Sequence, residues 1–431
     1  MWMSTFSVTL PSDQEPVTQG DGPSKKPRTV LILMGTYLPG YAGGGPIQSI
    51  ANLVKYLGRE YEFLIVTHDQ DGPAAAPYQG IRAGQWTTVG NAKVLYLPRT
   101  LLGLVALTKC IIGLSYDVLY LNGVFDRWHT LSALILWSVG LAHPGRVIIA
   151  PRGEFSNGAL RLKRWRKKSY LWIIKRFVAE NVIWHASSEY ERIDIQKVLS
   201  GRLQSFIAAP INEGPRSSEL KDDDHAIKTA LDLTTNDLGA TRASDLEKTP
   251  GRLELAFVSR ISPMKNLDYD LRVLQGQLKG EVAFHIYGPI DDPQYWGRCE
   301  KLITSLPSNI SAIYHGPVPH EDVTSTLQRH HLLFVPTLGE NYGHIFAEAL
   351  MAGRPILTSD QTLWRDLAAH GAGWDVPLSR PDMFQLILQK CIDMNNGEFI
   401  ELTRRAREYA ERKIDIRKIL QDNRDLFDYS I

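Results

Sequence analysis

Two glutamates at opposite ends of a strand-to-helix junction are the residues whose type and spacing best indicate chemistry. Glu340 and Glu348 are separated by seven residues in the stretch TLGENYGHIFAEAL, which covers 337–350. A short apolar run, 331–336, precedes them and is typical of a buried parallel strand, and apolar residues then recur at helical spacing. Unpaired backbone N–H groups and the positive end of the helix should converge at Glu340. This loop suits a polyhydroxylated, anionic ligand; the alternative is that Glu340 caps the helix and Glu348 faces solvent.

A pair of cations occupies a second strand-to-helix junction. Arg260 and Lys265 follow the apolar run 253–258 and precede the next helical pattern. An arginine binds phosphate oxygens as a planar fork and a lysine binds them as a point charge, so both can bind one diphosphate. Taken alone, a cation at either position is more often an exposed surface charge.

A glycine-rich loop opens the chain's first strand-to-helix unit. Gly43, Gly44 and Gly45, followed by Pro46, connect the apolar strand 28–34 to an amphipathic helical pattern. Backbone N–H groups at such a helix start can bind an anion, although the glycines could also serve only a tight turn. The loop is not G-x-G-x-x-G and no acidic residue is placed for a dinucleotide, which disfavours a dehydrogenase. The sequence also lacks the G-x-x-x-x-G-K-[ST] loop, which disfavours kinase-type phosphoryl transfer.

Strands that alternate with helical patterns predict two doubly wound parallel sheets. The strands expected in the first half are 28–34, 63–67, 93–97, 118–121 and 147–150, and those in the second half are 253–258, 284–289, 313–318, 331–336 and 355–360, the last expected strand. The predicted division is a disordered tail at 1–26, a first domain at 27–211, a hydrophilic linker or insertion at 212–251, a second domain at 252–414 and a final helix at 415–431 that crosses back to the first domain. Ligands of such sheets bind beyond the carboxyl ends of the strands.

The junction sequences resemble a known family of enzymes. GENYGHIFAEAL followed by MAGRPILTSD resembles the paired-glutamate motif of retaining nucleotide-sugar glycosyltransferases, specifically glycosyltransferase family 4, and the Arg260 and Lys265 pair resembles that family's diphosphate-binding motif. The resemblance implies the GT-B fold, two Rossmann-like domains that face each other across a cleft. It also implies that Glu340 contacts the donor sugar and that Glu348 binds the ribose. The other donor contacts that it implies are the backbones of Asn341, Tyr342, Gly343 and His344 and the backbone near Val318. The glycine-rich loop adds the amides of Gly44 and Gly45 as candidates.

The first domain resembles the same family in the segments PRGEFSNGALRLK and HASSEYE. Arg152 and Glu154, in the first of these segments, are candidates for acceptor contact. Many family members carry a histidine beside the donor sugar just after one strand, where this chain has Asn122. His129 lies further on, in the next helical pattern. Asn122, His129 or neither could contact the sugar, and a helix-start histidine with a structural role is the alternative for His129.

The activity implied by the resemblance is retaining transfer of a sugar from a nucleoside-diphosphate sugar to a hydroxyl acceptor. Arg260 and Lys265 would replace a metal at the leaving diphosphate, and the sequence predicts no metal and no other cofactor, because its acidic run Asp222-Asp223-Asp224 lies in the hydrophilic insertion. Two alternatives remain from the residues: a nucleotide-sugar epimerase or hydrolase of the same fold, and a non-catalytic nucleotide-sugar-binding protein.

Composition limits the kinds of partner and the cellular compartment that the sequence predicts. The 431 residues carry a net charge of +1, which gives no reason to expect nucleic acid, and three scattered cysteines favour a reducing compartment. Leu101 to Leu114 contains Lys109 and Leu131 to Ala142 is short, so neither predicts a membrane-spanning helix. The sequence therefore predicts a cytoplasmic protein.

A basic and aromatic segment raises the question of membrane contact. Arg161 to Arg176 holds eight Lys or Arg residues with interleaved aromatics. Such a segment can bind the inner face of an anionic membrane, with a lipid-linked acceptor as the corollary. The alternative is a solvated helix face whose aromatic residues lie in the core.

Overall fold

The apolar strands form two separate sheets in the computed structural model, which describes residues 26–41, 43–72, 75–156, 160, 170–201, 203–211 and 246–429. The described residues fall into two compact units. Unit 1 lies within Met1–Ile211 and Ile419–Ile431, and unit 2 lies within Asn212–Lys418. The tail predicted at 1–26 and most of the predicted linker lie outside the described residues.

The sheet of unit 1 has eight strands in the order β3-β4-β2-β1-β5-β6-β7-β8, parallel except for the antiparallel pair of β3 and β4. Its strands are β1 Arg28–Leu33, β2 Tyr61–His68, β3 Trp86–Val89, β4 Ala92–Leu97, β5 Val118–Asn122, β6 Arg146–Ala150, β7 Ile183–Ala186 and β8 Gln204–Ile207. The sequence analysis did not predict β3, β7 or β8. Each has only four residues, too few for a clear periodic signal.

The helices of unit 1 alternate with its strands along the chain. They are α1 Gly45–Leu57, α2 Leu101–Gly113, α3 Thr130–Ser138, a π-helical turn at Ile174–Val178 and α4 Glu189–Leu199. The inward side chains of α2, α3, the π-helical turn and α4 form one hydrophobic core with alternate residues of the strands, among them Leu119 and Leu121 of β5. These elements therefore lie side by side on the same face of the sheet.

The sheet of unit 2 has six strands, all parallel, in the order β11-β10-β9-β12-β13-β14. The strands are β9 Arg252–Val258, β10 Glu281–Tyr287, β11 Ile310–Gly316, β12 Leu332–Val335, β13 Ile356–Ser359 and β14 Gly373–Val376. The prediction that 355–360 is the last strand is wrong, because β14 pairs with β13 beyond it. The sequence of β14 is GWDV, and Trp374 and Asp375 are only half-buried, so the strand lacks the apolar run of its neighbours.

The helices of unit 2 alternate with its strands. They are a 3₁₀ turn at Pro263–Lys265, α5 Leu267–Leu274, α6 Pro293–Ile303, α7 His320–Gln328, α8 His344–Met351, α9 Leu367–His370, α10 Pro381–Asp393 and α11 Asn396–Lys413. Lys248, which the sequence analysis assigned to the hydrophilic linker, is 3% exposed and its ammonium donates to the carbonyls of Thr249, Ile392 and Met394. The packed part of unit 2 therefore starts before β9.

The final helix, α12 Ile416–Asp428, packs on unit 1. The ring of Phe427 lies 5.3 Å from Tyr61 and 6.1 Å from Phe63 and Tyr120. Tyr120 alternates along β5 with the two leucines of the helix-covered core, so α12 covers the opposite face of the sheet.

A carboxyl group without a partner is buried in unit 2. Asp270 of α5 is fully buried, and neither of its oxygens has a hydrogen-bond partner in the described part of the chain. Burial, assisted by the nearby charge of Asp268, raises the pKa of Asp270 well above its usual value. The folded state therefore retains a proton that the unfolded chain has lost.

We expect Asp270→Asn to remove a pH-dependent loss of stability. Below about pH 4 the carboxyl is protonated in both states. Above that pH the unfolded state ionises first, so the wild-type free energy of unfolding falls by up to about 1.4 kcal/mol per pH unit until the folded-state pKa is reached. Urea unfolding of wild type, Asp270→Asn and the exposed control Asp393→Asn between pH 4 and 8 measures this. An equal pH dependence in all three proteins would contradict the assignment.

Candidate functional site

Hydrogen bonds anchor the loop between β12 and α8 to the loops that follow the two neighbouring strands, β9 and β13. The amide of Leu338 and the hydroxyl of Thr337 each donate to the carbonyl of Met264 at 2.9 Å, and the amide of Glu340 donates to the carbonyl of Gln361 at 3.1 Å. The loops that follow β9, β12 and β13 therefore meet at the carboxyl edge of the sheet. This is the edge at which parallel α/β sheets bind ligands.

Lys265 and Glu340 form an ion pair at this edge, across 75 positions of sequence. Their side chains are 15% and 18% exposed. Asn266, which follows Lys265, adopts φ 64 and its side-chain amide donates to the carbonyl of Pro336 at 2.9 Å. Asparagine tolerates this left-handed conformation, and the bond ties the lysine loop to the glutamate loop. The pair is thus preorganised and shielded from most of the solvent.

Gly343 shapes the start of α8. It has φ 76, and a Cβ atom there would lie 2.5 Å from Cδ2 of Phe346 and 2.9 Å from Cγ of Glu340. Only glycine therefore lets the Glu340 side chain lie against the helix start. The carbonyl of Tyr342 accepts a 2.8 Å hydrogen bond from the buried indole of Trp364, which fixes the preceding residue. No side-chain hydrogen bond caps α8 and its first turn has no acidic residue, so Glu340 is the acidic side chain that lies against its positive end.

The other predicted residues of unit 2 lie at the same edge or in α8. Asn341, His344 and Glu348 are half-buried, and the half-buried Val318 follows β11. Arg260 follows β9, where its guanidinium lies 3.4 Å from the carboxylate of Asp291. The structure thus brings Lys265 to Glu340 and pairs Arg260 with a different carboxylate.

In unit 1, the glycine loop leads directly into α1. Gly44 has φ 59 and is the N-cap residue, Gly45 begins the helix, and no side chain provides a capping hydrogen bond. The first turn of α1 has no acidic residue. An anion could approach this backbone without displacing a side-chain cap.

Arg152 and Asn122 are linked at the carboxyl edge of the unit 1 sheet. Arg152 has φ 54, its Nε donates to Oδ1 of Asn122 at 2.9 Å, and its Nη2 donates to the hydroxyl of Tyr120 at 2.7 Å. The Tyr120 hydroxyl in turn donates to Nδ1 of His185 at 2.7 Å, because Nε2 of that histidine donates to the Ala208 carbonyl. Arg152 therefore fixes the Asn122 carboxamide with its NH₂ group on the far side.

Burial sets the protonation of this hydrogen-bond chain. It raises the pKa of Tyr120 to about 12 and, with the charge of Arg152, lowers the pKa of His185 to about 3. Both groups are neutral at physiological pH. The sequence analysis gave no role to His185, although that residue begins the segment HASSEYE, and it did not single out Tyr120, which lies within an apolar strand.

Glu154 has a loop-holding role in the structure. Its carboxylate accepts hydrogen bonds from the amides of Val124 and Phe125 in the loop after β5. A second buried carboxylate, Glu191, accepts from the amides of Gly153 and Ser187 at 2.6 and 2.7 Å. These two acids hold the loops after β5, β6 and β7 together.

His129 is 1% exposed and pairs with Asp126, the distance from its Nδ1 to Oδ2 being 2.9 Å. Burial on its own raises the pKa of Asp126, but the charge of His129 and hydrogen bonds from His129 and Trp128 lower it below its usual range. The ring of His68, at the end of β2, lies 4.6 Å from the ring of His129. Burial and then the charge of His129 lower the pKa of His68 to about 3. Sequence reasoning missed Asp126, whose position three residues before a helical pattern is a capping signal.

The described residues contain neither a metal-binding cluster nor a membrane-spanning helix. No group of three or more His, Cys, Asp or Glu side chains in that part of the chain could hold a metal ion. No helix there is long and apolar enough to cross a bilayer.

Unit 2 is similar in sequence to a known protein family. Residues 242–413, which contain the whole sheet of unit 2 with Lys265 and Glu340, match the family described as "Glycosyl transferases group 1". This match covers most of unit 2 and 172 of the chain's 431 residues. One curated relative, an uncharacterized 41.2 kDa protein in the cps region of Klebsiella pneumoniae, is 20% identical over 257 residues, 60% of this chain and 64% of its own length.

Solved structures extend the likeness to the whole chain. Anabaena HepE, crystallised with UDP-glucose, has a TM-score of 0.63 at 15% identity, covering 93% of this chain and 99% of its own. Sucrose-phosphate synthase from Thermosynechococcus elongatus has a TM-score of 0.67 at 15% identity, covering 94% and 100%. The predicted GT-B fold, with two α/β domains built on parallel sheets, is confirmed. Together, the domain match and the fold support a glycosyltransferase.

Proposed function

We propose that the protein is a retaining, metal-independent glycosyltransferase of family 4 that moves a sugar from a nucleoside-diphosphate sugar to a hydroxyl acceptor in glycan or glycoconjugate synthesis. The observation that carries the proposal is the shielded Lys265–Glu340 pair at the carboxyl edge of the unit 2 sheet, within the residues that match the group 1 glycosyltransferases. The UDP-glucose complex of HepE supports a nucleotide sugar as the donor class.

In this proposal the cations act on the leaving group. The bond between the sugar's anomeric carbon and the diphosphate oxygen breaks, and the charge that develops on that oxygen is stabilised by Lys265, by Arg260 and by the amides of Gly44 and Gly45. Arg260 must exchange Asp291 for phosphate, which its 38% exposed side chain permits. Lys265 is already held in place.

Glu340 positions the sugar. Its carboxylate accepts hydrogen bonds from some of the sugar hydroxyls, and the backbone N–H groups of residues 341–344 donate hydrogen bonds to others. The carboxylate of Glu348 accepts hydrogen bonds from the ribose hydroxyls. The acceptor hydroxyl attacks the anomeric carbon from the face that the diphosphate leaves, and its proton passes to the departing phosphate oxygen. The products are a nucleoside diphosphate and a glycoside of unchanged anomeric configuration, with no covalent bond to the protein.

Asn122 is the side chain of unit 1 that we assign to the sugar. Arg152 holds the oxygen of its carboxamide at 2.9 Å, which leaves the NH₂ group to donate to a hydroxyl. We assign Arg152 a positioning role through Asn122, and we assign Glu154 and His129 to the support of the loop that carries it.

A donor panel tests the proposal. Thermal unfolding is measured with uridine, guanosine and adenosine diphosphate sugars, and nucleoside diphosphate release is then measured with the best binder, with and without hydroxyl acceptors. A selective rise in melting temperature with acceptor-dependent release is the expected result, because a ligand that binds the folded state stabilises it. Release without acceptor favours the hydrolase or epimerase, binding without turnover favours the binding protein, and no shift across the panel contradicts a nucleotide-sugar site.

The proposal for the acceptor includes a lipid-linked compound at the inner face of the membrane. The basic and aromatic segment Arg161 to Arg176 motivates it, and residues 161–169 of that segment lie outside the described part of the chain. Of the remainder, Trp172 and Ile173 are 64% and 44% exposed. Membrane contact can be tested independently of glycosyl transfer, on residues that the structure does describe.

A further inference from the structure

The outward stripe of α2 is apolar. Leu101, Leu102, Val105 and Ile112 are 75%, 58%, 46% and 47% exposed. They recur at the spacing of one helix face, and the exposed Lys109 is the charged residue among them. The inward stripe, which includes Leu107 and Cys110, is buried in the core of unit 1. The helix is thus apolar on both sides, which is typical of a helix that is covered on both sides.

The outward side of the neighbouring helix has the same character. In α3 and the turn that follows it, Ile135, Val139 and Leu141 are 52%, 62% and 50% exposed. α2 and α3 contact each other directly, so their exposed apolar residues lie on adjacent helices. Monomeric soluble proteins rarely expose a large contiguous apolar patch that has no binding role.

The next element on the same face of the sheet contributes an exposed tryptophan. Trp172 and Ile173 are exposed immediately before the π-helical turn. That turn lies beside α3, because Trp137 of α3 lines a small cavity together with Asn181 and Val182, just after the turn. We use the term apolar face for the exposed apolar residues of α2 and α3 named above together with Trp172 and Ile173.

The charges around the apolar face are cationic. Lys109 lies within it, and Lys175 and Arg176 are exposed directly after Ile173. The sequences 100–116, 127–153 and 170–179 contain no aspartate or glutamate, and the exposed acids Asp117 and Glu180 lie directly beyond the first and the last of them. A surface that combines aliphatic side chains, an exposed tryptophan and a cationic rim matches the boundary between the acyl chains and headgroups of an anionic bilayer.

We propose that the apolar face binds the surface of an anionic lipid bilayer. A second copy of the chain fits less well, because pairing this face with itself would bring two surfaces that both carry Lys109, Lys175 and Arg176 together. Anionic headgroups neutralise the same cations while the aliphatic residues enter the acyl boundary. If the proposed glycosyl transfer also holds, the acceptor is lipid-linked, but bilayer binding does not depend on that reaction.

Vesicle co-sedimentation of the full chain tests this proposal. The probes are vesicles of equimolar phosphatidylglycerol and phosphatidylcholine, and vesicles of phosphatidylcholine alone. We expect binding to the anionic vesicles that weakens as salt is raised, and at least about tenfold weaker binding to the neutral ones. Absence of binding to the anionic vesicles would overturn the proposal.

Paired substitutions locate the contact. Val105→Glu with Ile135→Glu should reduce binding at least about tenfold, because it places two carboxylates in the acyl boundary. The matched control, Leu386→Glu with Ile400→Glu, changes two exposed helical aliphatic residues of unit 2, 63% and 55% exposed, and should bind like wild type. Val105→Gln with Ile135→Gln, which leaves the net charge unchanged, should fall between the two and separates apolar from electrostatic contributions.

Two results would reject the apolar face as the lipid contact. One is equal vesicle binding by the Val105→Glu/Ile135→Glu variant and its control. The other is a dimeric wild type, by light scattering, that this variant converts to monomer, since a second copy would then be the occupant. Circular dichroism and thermal unfolding confirm that each variant is folded before its binding is interpreted.

Discussion

Glu340→Gln should lower acceptor-dependent release of nucleoside diphosphate about 10²-fold, the scale on which a single preorganised polar contact acts in a transition state. Glutamine keeps the length and shape of the side chain against Gly343, so the loop geometry is retained. It removes the negative charge that pairs with Lys265 and the strong acceptor for sugar hydroxyls. Steady-state release with the donor selected by the panel is the measurement.

The control for this variant is Glu300→Gln, an exposed glutamate on α6 of the same unit. It should leave both turnover and melting temperature unchanged. Wild-type turnover by Glu340→Gln would contradict the assignment of Glu340 to the sugar. If Glu340→Gln does not fold, Glu340→Asp takes its place, because it keeps the negative charge beside Lys265. The Glu340→Asp variant should fold and still lose turnover, because its side chain is one carbon shorter and its carboxylate no longer reaches the sugar.

Lys265→Ala should lower turnover by about 10² to 10³-fold, because it removes the cation that is already held in place for the leaving diphosphate. Affinity for the free nucleoside diphosphate, measured by calorimetry, should fall as well. The exposed lysine of α6 offers a matched control, and Lys301→Ala should leave both quantities unchanged. An unaltered affinity and turnover in Lys265→Ala would place the diphosphate elsewhere.

The two variants also test each other. Lys265 and Glu340 share one ion pair, so the double variant Lys265→Ala/Glu340→Gln should lose less activity than the product of the two single losses. Multiplicative losses would mean that the two side chains act on the reaction independently, and that their pairing has no part in preorganisation.

The sequence predicted local structure well where the strand, the glycine and the charged residues all lie in one short segment. The strand at 331–336, the glycine at 343 and the two glutamates are all contained in the junction between β12 and α8, and the structure has the strand, the loop and the helix there. The long apolar strands of both sheets were likewise predictable from their uninterrupted hydrophobic runs. Strands of four residues, such as β7 and β14, give too short a signal.

Partnerships between distant segments could not be predicted. Lys265 and Glu340 are brought together by hydrogen bonds from the 337–340 loop to Met264 and Gln361, and no local pattern encodes those bonds. The same holds for Arg260, which rests against Asp291, and for Arg152, which reaches Tyr120 and Asn122 from the next strand. Tertiary packing decides such pairs, because each partner's position depends on a different loop.

The donor-binding claim is tested most directly by a crystal structure of the protein with the intact nucleotide sugar that gives the largest thermal shift. The predicted result places the diphosphate within hydrogen-bond distance of the Lys265 ammonium, the sugar hydroxyls against the Glu340 carboxylate and the ribose against Glu348. Density for the donor away from the carboxyl edge of the unit 2 sheet, with the Lys265–Glu340 pair untouched, would contradict the site and the mechanism built on it.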